Sequence, residues 1–336
     1  MSPILLLSIL SISLPIILML AVSFGAVSMS PTKLLISFFA IEDDSILRSI
    51  ILDVRLPRVL LATCIGAILA LSGALMQGLF RNPLADPSLI GVTAGASLGA
   101  SLVIVLGQAT VSQWLGLPLL SLGAFCGGTI AVVFVYQLAR RSDGTSVATL
   151  LLAGIGIGTL AASLGSLLEF YADNFMLRRI SFWRMGALEG ATYGQVGFAA
   201  LIALGLCSIQ RYFSQPLNAL LLGESEARHL GVDVDRLKRA IILVVALSVG
   251  ISVALAGAIG FVGLVVPHII RLLIGPDHRF LLPASTLAGA ILLVLADTLA
   301  RTLLAPAELP VGLITALIGV PFFLSLLTRR YVYGLS

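Results

Sequence analysis

The stretch LLGESEARHLGVDVDRLKRA, Leu221 to Ala240, carries eight charged side chains in twenty residues. The 336-residue chain around it is 59% hydrophobic and only 11% Asp, Glu, Lys and Arg. Soluble domains average about 25% charged residues. With a mean hydropathy of +1.11, most of the chain is solvated by lipid. The segment is too polar to cross a bilayer and too patterned for a bare linker. It divides the apolar stretches into six before it and four after it.

A spanning helix needs about 20 apolar residues. Working outward from Leu221–Ala240, ten stretches qualify: residues 3–25, 56–79, 90–108, 117–139, 147–170, 193–212, 239–259, 261–274, 280–303 and 310–328. The eighth is short and contains Pro267 and His268, and it reads as interrupted. No stretch of strand period suggests a barrel. The expected fold class is all-α, a polytopic membrane protein with about ten transmembrane helices. It forms one domain, residues 1–336, with a polar loop at 213–238.

The first apolar stretch lacks a basic leader and exceeds the roughly 7–15 residues of a signal-peptide core, so it reads as an uncleaved span. Cys64, Cys126 and Cys207 all fall inside spans, where inert thiols are expected. The net charge of +4 reports topology rather than nucleic-acid binding. No pair of histidines has ligand spacing, so no metal site is expected.

Ten spans put both termini on one side. If that side is the cytoplasm, twelve of the 20 Lys and Arg lie inside and eight outside, the sign that the positive-inside rule requires. The charged segment then faces the cytoplasm. Asn218 could cap a short helix ending at Gly223, and Glu224 to Leu230 could form another that stops at Gly231. Two such helices make a docking platform for a soluble partner. The plainer alternative is a solvated loop obeying the positive-inside rule.

Within this segment, GESEARHLGV (223–232) resembles the cytoplasmic coupling loop of binding-protein-dependent ABC importer permeases. The wider chain resembles the type II permeases for vitamin B12, iron–siderophores and heme. The likeness is carried by RLPRVLLATCIGAILALSGALMQGLFRNPLADPSLIGVTAGASLGA (55–100), TSVATLLLAGIGIG (145–158), SVALAGAIGFVGLVVPHIIRLLIGPDHRFLLPAS (252–285) and LADTLARTLLAPAELPVGLITALIGVPFF (295–323). It extends from about residue 50 to the C-terminus.

The resemblance implies a homodimer with the path on its two-fold axis, two copies of a separate ATPase and one extracytoplasmic binding protein. It places the chain in the bacterial cytoplasmic (inner) membrane. ATP and magnesium would be bound by the partner, because no G-x-x-x-x-G-K-[ST] phosphate loop occurs here. It also implies an inverted repeat, faintly echoed by ALSGA (70–74) and ALAGA (254–258).

Residue roles follow from the same resemblance. Leu222, Ala227 and Leu230 would be apolar knobs for the ATPase, with Gly223, Glu224, Glu226, Arg228, His229 and Gly231 completing the coupling loop. Arg55, Arg58 and Arg301 would receive acidic side chains of the binding protein, since guanidinium forks match carboxylates. Interfacial snorkelling is the alternative for each. Thr145 and Ser146 would narrow the cytoplasmic end of the pathway, cap the fifth helix, or both. The following GIGIG (154–158) suits a close helix approach or a pore wall. Glu169 and Asp297, near span ends, are expected to face water. His268 is expected to bond backbone freed by Pro267.

For the substrate, LRRISFWRMGALEGA (177–191) resembles the fifth-to-sixth-span loop of the heme branch. Ala187 and Arg179 depart from its usual pattern. Arg178, Arg179 and Arg184 there would face the propionates of heme at an entrance. Ferric siderophores come next and cobalamin third. An ion-coupled secondary transporter is the rival class. It would need coupling-ion residues at mid-membrane, where the sequence shows few charges.

Overall fold

A computed structural model describes residues 1–25, 45–107, 116–141, 144–145 and 147–333. Among these the chain is helical, apart from a two-residue antiparallel pairing of Arg140–Arg141 with Gly144–Thr145. Besides short turns at Ser45–Ser49, Ile50–Arg55 (which runs into α2) and Pro87–Ile90, the helices are α1 Pro3–Ser23, α2 Leu56–Phe80, α3 Val92–Leu106, α4 Gly116–Ala139, α5 Val147–Tyr171, α6 Asn174–Arg184, α7 Tyr193–Leu220, α8 Glu224–His229, α9 Val234–Ala256, α10 Val262–Ile274, α11 His278–Thr302 and α12 Val311–Tyr333. Seven are long and apolar enough to cross a membrane, and α3, α10 and the described part of α12 are shorter apolar helices. The ten expected spans are therefore all present as helices.

Helix α2 is the axis of the fold. In its membrane-length window, 83% of the residues are buried, against 11% for α1, 22% for α5 and 17% for α7. Small residues allow this crowding. A Cβ on Gly66 would overlap the Gly289 carbonyl of α11, and one on Gly73 would overlap the Gly263 carbonyl of α10. Lipid tails are as apolar as leucine, so close backbone contact and dispersion must hold such helices together.

Several boundaries differ from the sequence reading. Helix α7 does not end at residue 212 but runs to Leu220, through Pro216. Its last turns bury Ser214, Leu217 and Leu220, and that burial keeps it helical beyond the apolar run. Asn218 therefore caps no separate helix, and the polar connection shrinks from 213–238 to the residues between Leu220 and Val234. The loop after α5 contains α6, capped by Asp173, which accepts from the Met176 amide at 2.7 Å.

The eighth span is unbroken at Pro267, which lies inside α10. The interruption comes earlier, between Ala256 and Val262, where Gly257 and Phe261 have φ of 70° and 67°. Consequently ALSGA lies mid-helix in α2 while ALAGA straddles the end of α9, and the two runs are not in equivalent positions. His268 meets the edge of the Phe322 ring, with centroids 6.4 Å apart. The cysteines are free thiols.

Candidate functional site

Chemistry-bearing side chains gather at the two ends of the helices. At one end α7 and α9 are joined by a turn, helix α8 and a second turn. Gly223 (φ 125°) and Gly231 (φ 84°) bracket α8 in conformations that L-residues rarely adopt. Ala227, expected as a third apolar knob, is instead turned inward from α8 and fully buried, whereas Leu222 and Leu230 are 68% and 63% exposed. Two ion pairs tie the segment to α9: Lys238 to Glu224 at 2.8 Å and Arg228 to Asp235 at 2.8 Å. The Asp235 carboxylate, hydrogen-bonded to the Arg228 guanidinium, raises the pKa of that already basic group. The outcome is a stapled helix that presents two leucines to solvent.

Behind this helix, α2, α7 and α11 meet. Asn218 donates from Nδ2 to Asp277 Oδ1 at 2.8 Å and accepts at Oδ1 from the His278 amide at 2.9 Å. His278 Nδ1 lies 2.8 Å from the same oxygen. Asp277 also takes hydrogen bonds from Arg279, which hold its carboxyl well below the usual carboxylate range.

At the opposite end, the three arginines expected on an open surface are buried, at 5% (Arg55), 6% (Arg58) and 4% (Arg301) exposure. The reason is local. Arg55 donates to the carbonyls of Val22 and Ser23, and Arg301 donates to those of Ala21 and Phe24. Together they satisfy the C-terminal carbonyls of α1, where positive charge is favourable. Arg58 bonds Asp297 through Nε at 2.9 Å and reaches Glu308 through Nη1. Arg301 pairs with Asp297 at 3.1 Å.

Asp297 does not face water as expected; it is 1% exposed and sits between two guanidinium groups. Its role was readable in the spacing, because Asp297 and Arg301 stand i, i+4 on one helix. Glu308, in the following loop, carried no comparable signal.

Of the suggested entrance arginines, Arg184 pairs with Glu169 at 2.8 Å, and Arg178 lies over the Phe182 ring at 5.6 Å. Arg179 is exposed on the same short helix. Thr145 belongs to the two-residue pairing by its backbone, and Ser146 lies outside the described residues. In GIGIG, a Cβ on Gly154 would overlap the Leu89 carbonyl, while one on Gly156 would meet nothing. One face is thus a close helix contact and the other is open. Among the described residues no cluster of His, Cys, Asp or Glu could hold a metal ion.

Ten apolar helices packed around one buried axis, with a stapled polar helix at one end, define a membrane-spanning transport subunit. Residues 13–329 match the FecCD transport family, and the chain belongs to it. It is a permease subunit of an ABC importer. It is 47% identical over 279 residues to the hemin transport system permease protein HmuU of Yersinia pestis, covering 83% of each chain. It is 45% identical to the cobalamin import system permease protein BtuC of Halobacterium salinarum, covering 84% of this chain and 74% of that one. A solved inward-facing structure of a metal-chelate type ABC transporter superposes with a TM-score of 0.84 at 36% identity, covering 96% of this chain and 98% of that one.

Proposed function

We propose that this chain is the heme permease of a bacterial cytoplasmic-membrane importer. It acts as a homodimer with two copies of a separate ATPase and one extracytoplasmic binding protein. The observation that carries the coupling part is the exposed pair Leu222 and Leu230 beside the stapled helix α8. Apolar knobs inside a charged rim suit a groove on a soluble ATPase. This end, and both termini, then face the cytoplasm.

The dimer reading is supported by α5, whose Leu152, Ile155, Leu160 and Leu167 are more than half exposed. Cβ atoms built on its Gly156 and Gly165 would meet nothing, which leaves room for a second backbone. The choice of heme rests on the hemin permease at 47% identity and on exposed Arg178 and Arg179. Cobalamin is the second reading, favoured by the cobalamin permease at 45%.

The test is uptake by proteoliposomes holding the permease, its ATPase and the binding protein. Vanadate-sensitive uptake of heme, with cobalamin and a ferric siderophore each left outside, is expected. Uptake of cobalamin alone would replace heme, and uphill uptake without the ATPase would overturn the importer reading.

A further inference from the structure

Helix α11 begins at the junction behind α8 and ends in the buried arginine cluster. Its 25 residues span about 37 Å, from His278 (0% exposed) to Arg301 (4% exposed). It is fastened to α2 at three levels. Arg58 binds Asp297 at one end, and Gly66 lies against Gly289 in the middle. At the other end a Cβ on Gly78 would sit 2.6 Å from His278 Nε2 and 3.1 Å from Leu217. Close packing at all three levels lets a displacement of one helix be transmitted to the other.

The donor and acceptor pattern at the junction is fully determined. The Asn218 amide nitrogen faces a carboxylate, so its oxygen faces the His278 backbone N–H and ring Nδ1. The imidazole therefore carries a proton on Nδ1. Its Nε2 is buried with no hydrogen-bond partner among the described residues, pressed against Gly78. The ring cannot flip without losing the amide bond, and the amide cannot flip without facing the carboxylate with its oxygen. Asn218 itself lies in the last turn of α7, six residues before Glu224, the first residue of α8.

Resting on the coupling role proposed for α8, we infer that Asn218 is a positioning residue of transport. It links the ATPase-docking helix to the α2–α11 pair through Asp277 and His278, so that motion at α8 moves the far end of the permease. A displacement of α8 reaches α11 through three hydrogen bonds from one side chain. Covalent continuity alone would carry it only to α7 and α9.

The test uses the full complex in proteoliposomes and reads substrate moved per ATP hydrolysed, with thermal stability measured alongside. Asn218→Leu removes all three bonds, and Asn218→Asp sets two carboxylates face to face. Coupling between sites typically amounts to about 5–150-fold. Each variant should therefore lower the ratio by about tenfold while the ATPase still co-purifies and hydrolyses ATP. Asn218→Asp combined with Asp277→Asn restores one donor facing one acceptor and should recover the ratio to within about twofold of the parent.

An unchanged ratio in both single variants overturns the inference. So does an exchange variant that regains thermal stability without regaining coupling, because the contact is then only structural. Failure of the unmutated chain to bind any ATPase would instead strike at the importer reading.

Discussion

Replacing Asp297 by alanine should be among the most damaging single changes at the arginine-rich end. The carboxylate is 1% exposed, and the side chains of Arg58 and Arg301 that flank it are 8% and 5% exposed. Its removal leaves two buried guanidinium groups with no shared counter-charge. Breaking a buried pair by deleting one partner costs about 3–5 kcal/mol. Glu308 provides the internal control. It also pairs with Arg58, but its side chain is 37% exposed, so Glu308→Gln should lie nearer the 0.2–1 kcal/mol, roughly, of exposed pairs. Cys64 and Cys207 are half-buried thiols in α2 and α7 while Cys126 is exposed, so in a Cys126→Ser background a thiol-reactive fluorophore reports the opening of α2 and α7. At a fixed heating rate in nanodiscs, Asp297→Ala should lower the midpoint at least about three times as far as Glu308→Gln, the ratio of those two ranges. Equal shifts would refute the claim that burial of the carboxylate, rather than mere charge pairing, secures α2 to α11.

The remaining predictions concern both ends. Ala227→Trp has no space under α8, and Gly231→Pro forces φ to about −65° where φ is 84°; each should lower ATPase co-purification by at least about tenfold, beyond the roughly 1.4 kcal/mol that tenfold represents. Normal pull-down with both variants would remove α8 from the coupling interface. If Arg58 engages an acidic side chain of the binding protein, Glu308→Gln frees one edge of its guanidinium, and association should tighten by up to about fivefold at low salt, an advantage lost at high salt. An affinity that ignores this change at every salt concentration would exclude Arg58 from docking. Asp277 has a depressed pKa in the folded state, so its contribution is fully present above the unfolded value of about 3.9 and is lost only as pH falls through the lower folded one. The difference in thermal midpoint between the parent and Asp277→Asn should therefore stay constant between about pH 5 and 8. A difference that changes around pH 6 would show that the Asp277 carboxyl is not held below its usual range.

The sequence made the helices legible because lipid imposes one rule: every backbone group must be satisfied within its own segment. Apolar run length therefore located ten apolar helices, seven of them long enough to cross a membrane, and the charged stretch at 221–240 marked the polar connection between α7 and α9. What hydropathy could not show were helical residues stabilised by side-chain burial rather than by lipid. The end of α7, with Leu217 and Leu220 buried, and the short helix α6, capped by Asp173, are of this kind. The site was legible in part for a similar reason. Arg55, Arg58 and Arg301 stand out as charges in an oily chain, but whether they face water depends on α1, more than thirty residues from Arg55 and nearly three hundred from Arg301. No local pattern encodes that contact. Asn218 reads as a helix cap, and Asp277 and His278 as loop residues, until α7 and α11 are brought together.

The break between α9 and α10 follows from the same rule applied to a short helix. Helix α10 has 13 residues and spans about 20 Å, short of a hydrocarbon core of about 30 Å. Non-helical backbone at that depth is tolerated only where protein or a cavity covers it. Here the Gly257 amide donates to the Val253 carbonyl, the Ala187 amide donates to the Ala256 carbonyl, and the Val262 amide donates to the Gly260 carbonyl, all at 2.9 Å. The exposed side of the break, Ala258 to Phe261, lines a cavity of about 450 Å3 together with Asp86, Ser88 and Thr93. Phe261 also borders a second, largely apolar cavity of about 260 Å3, and a Cβ on Gly319 of α12 would stand 2.5 Å from its ring. A phenylalanine at φ 67° stores about 1–3 kcal/mol of strain, and such a conformation persists only when its surroundings fix it. The ring wedged at Gly319 does so, and it holds the start of α10 where the two cavities adjoin. Straightening this segment into a full-length span would withdraw the ring from Gly319 and strip the break of its hydrogen bonds, so the shortness of α10 is imposed by packing.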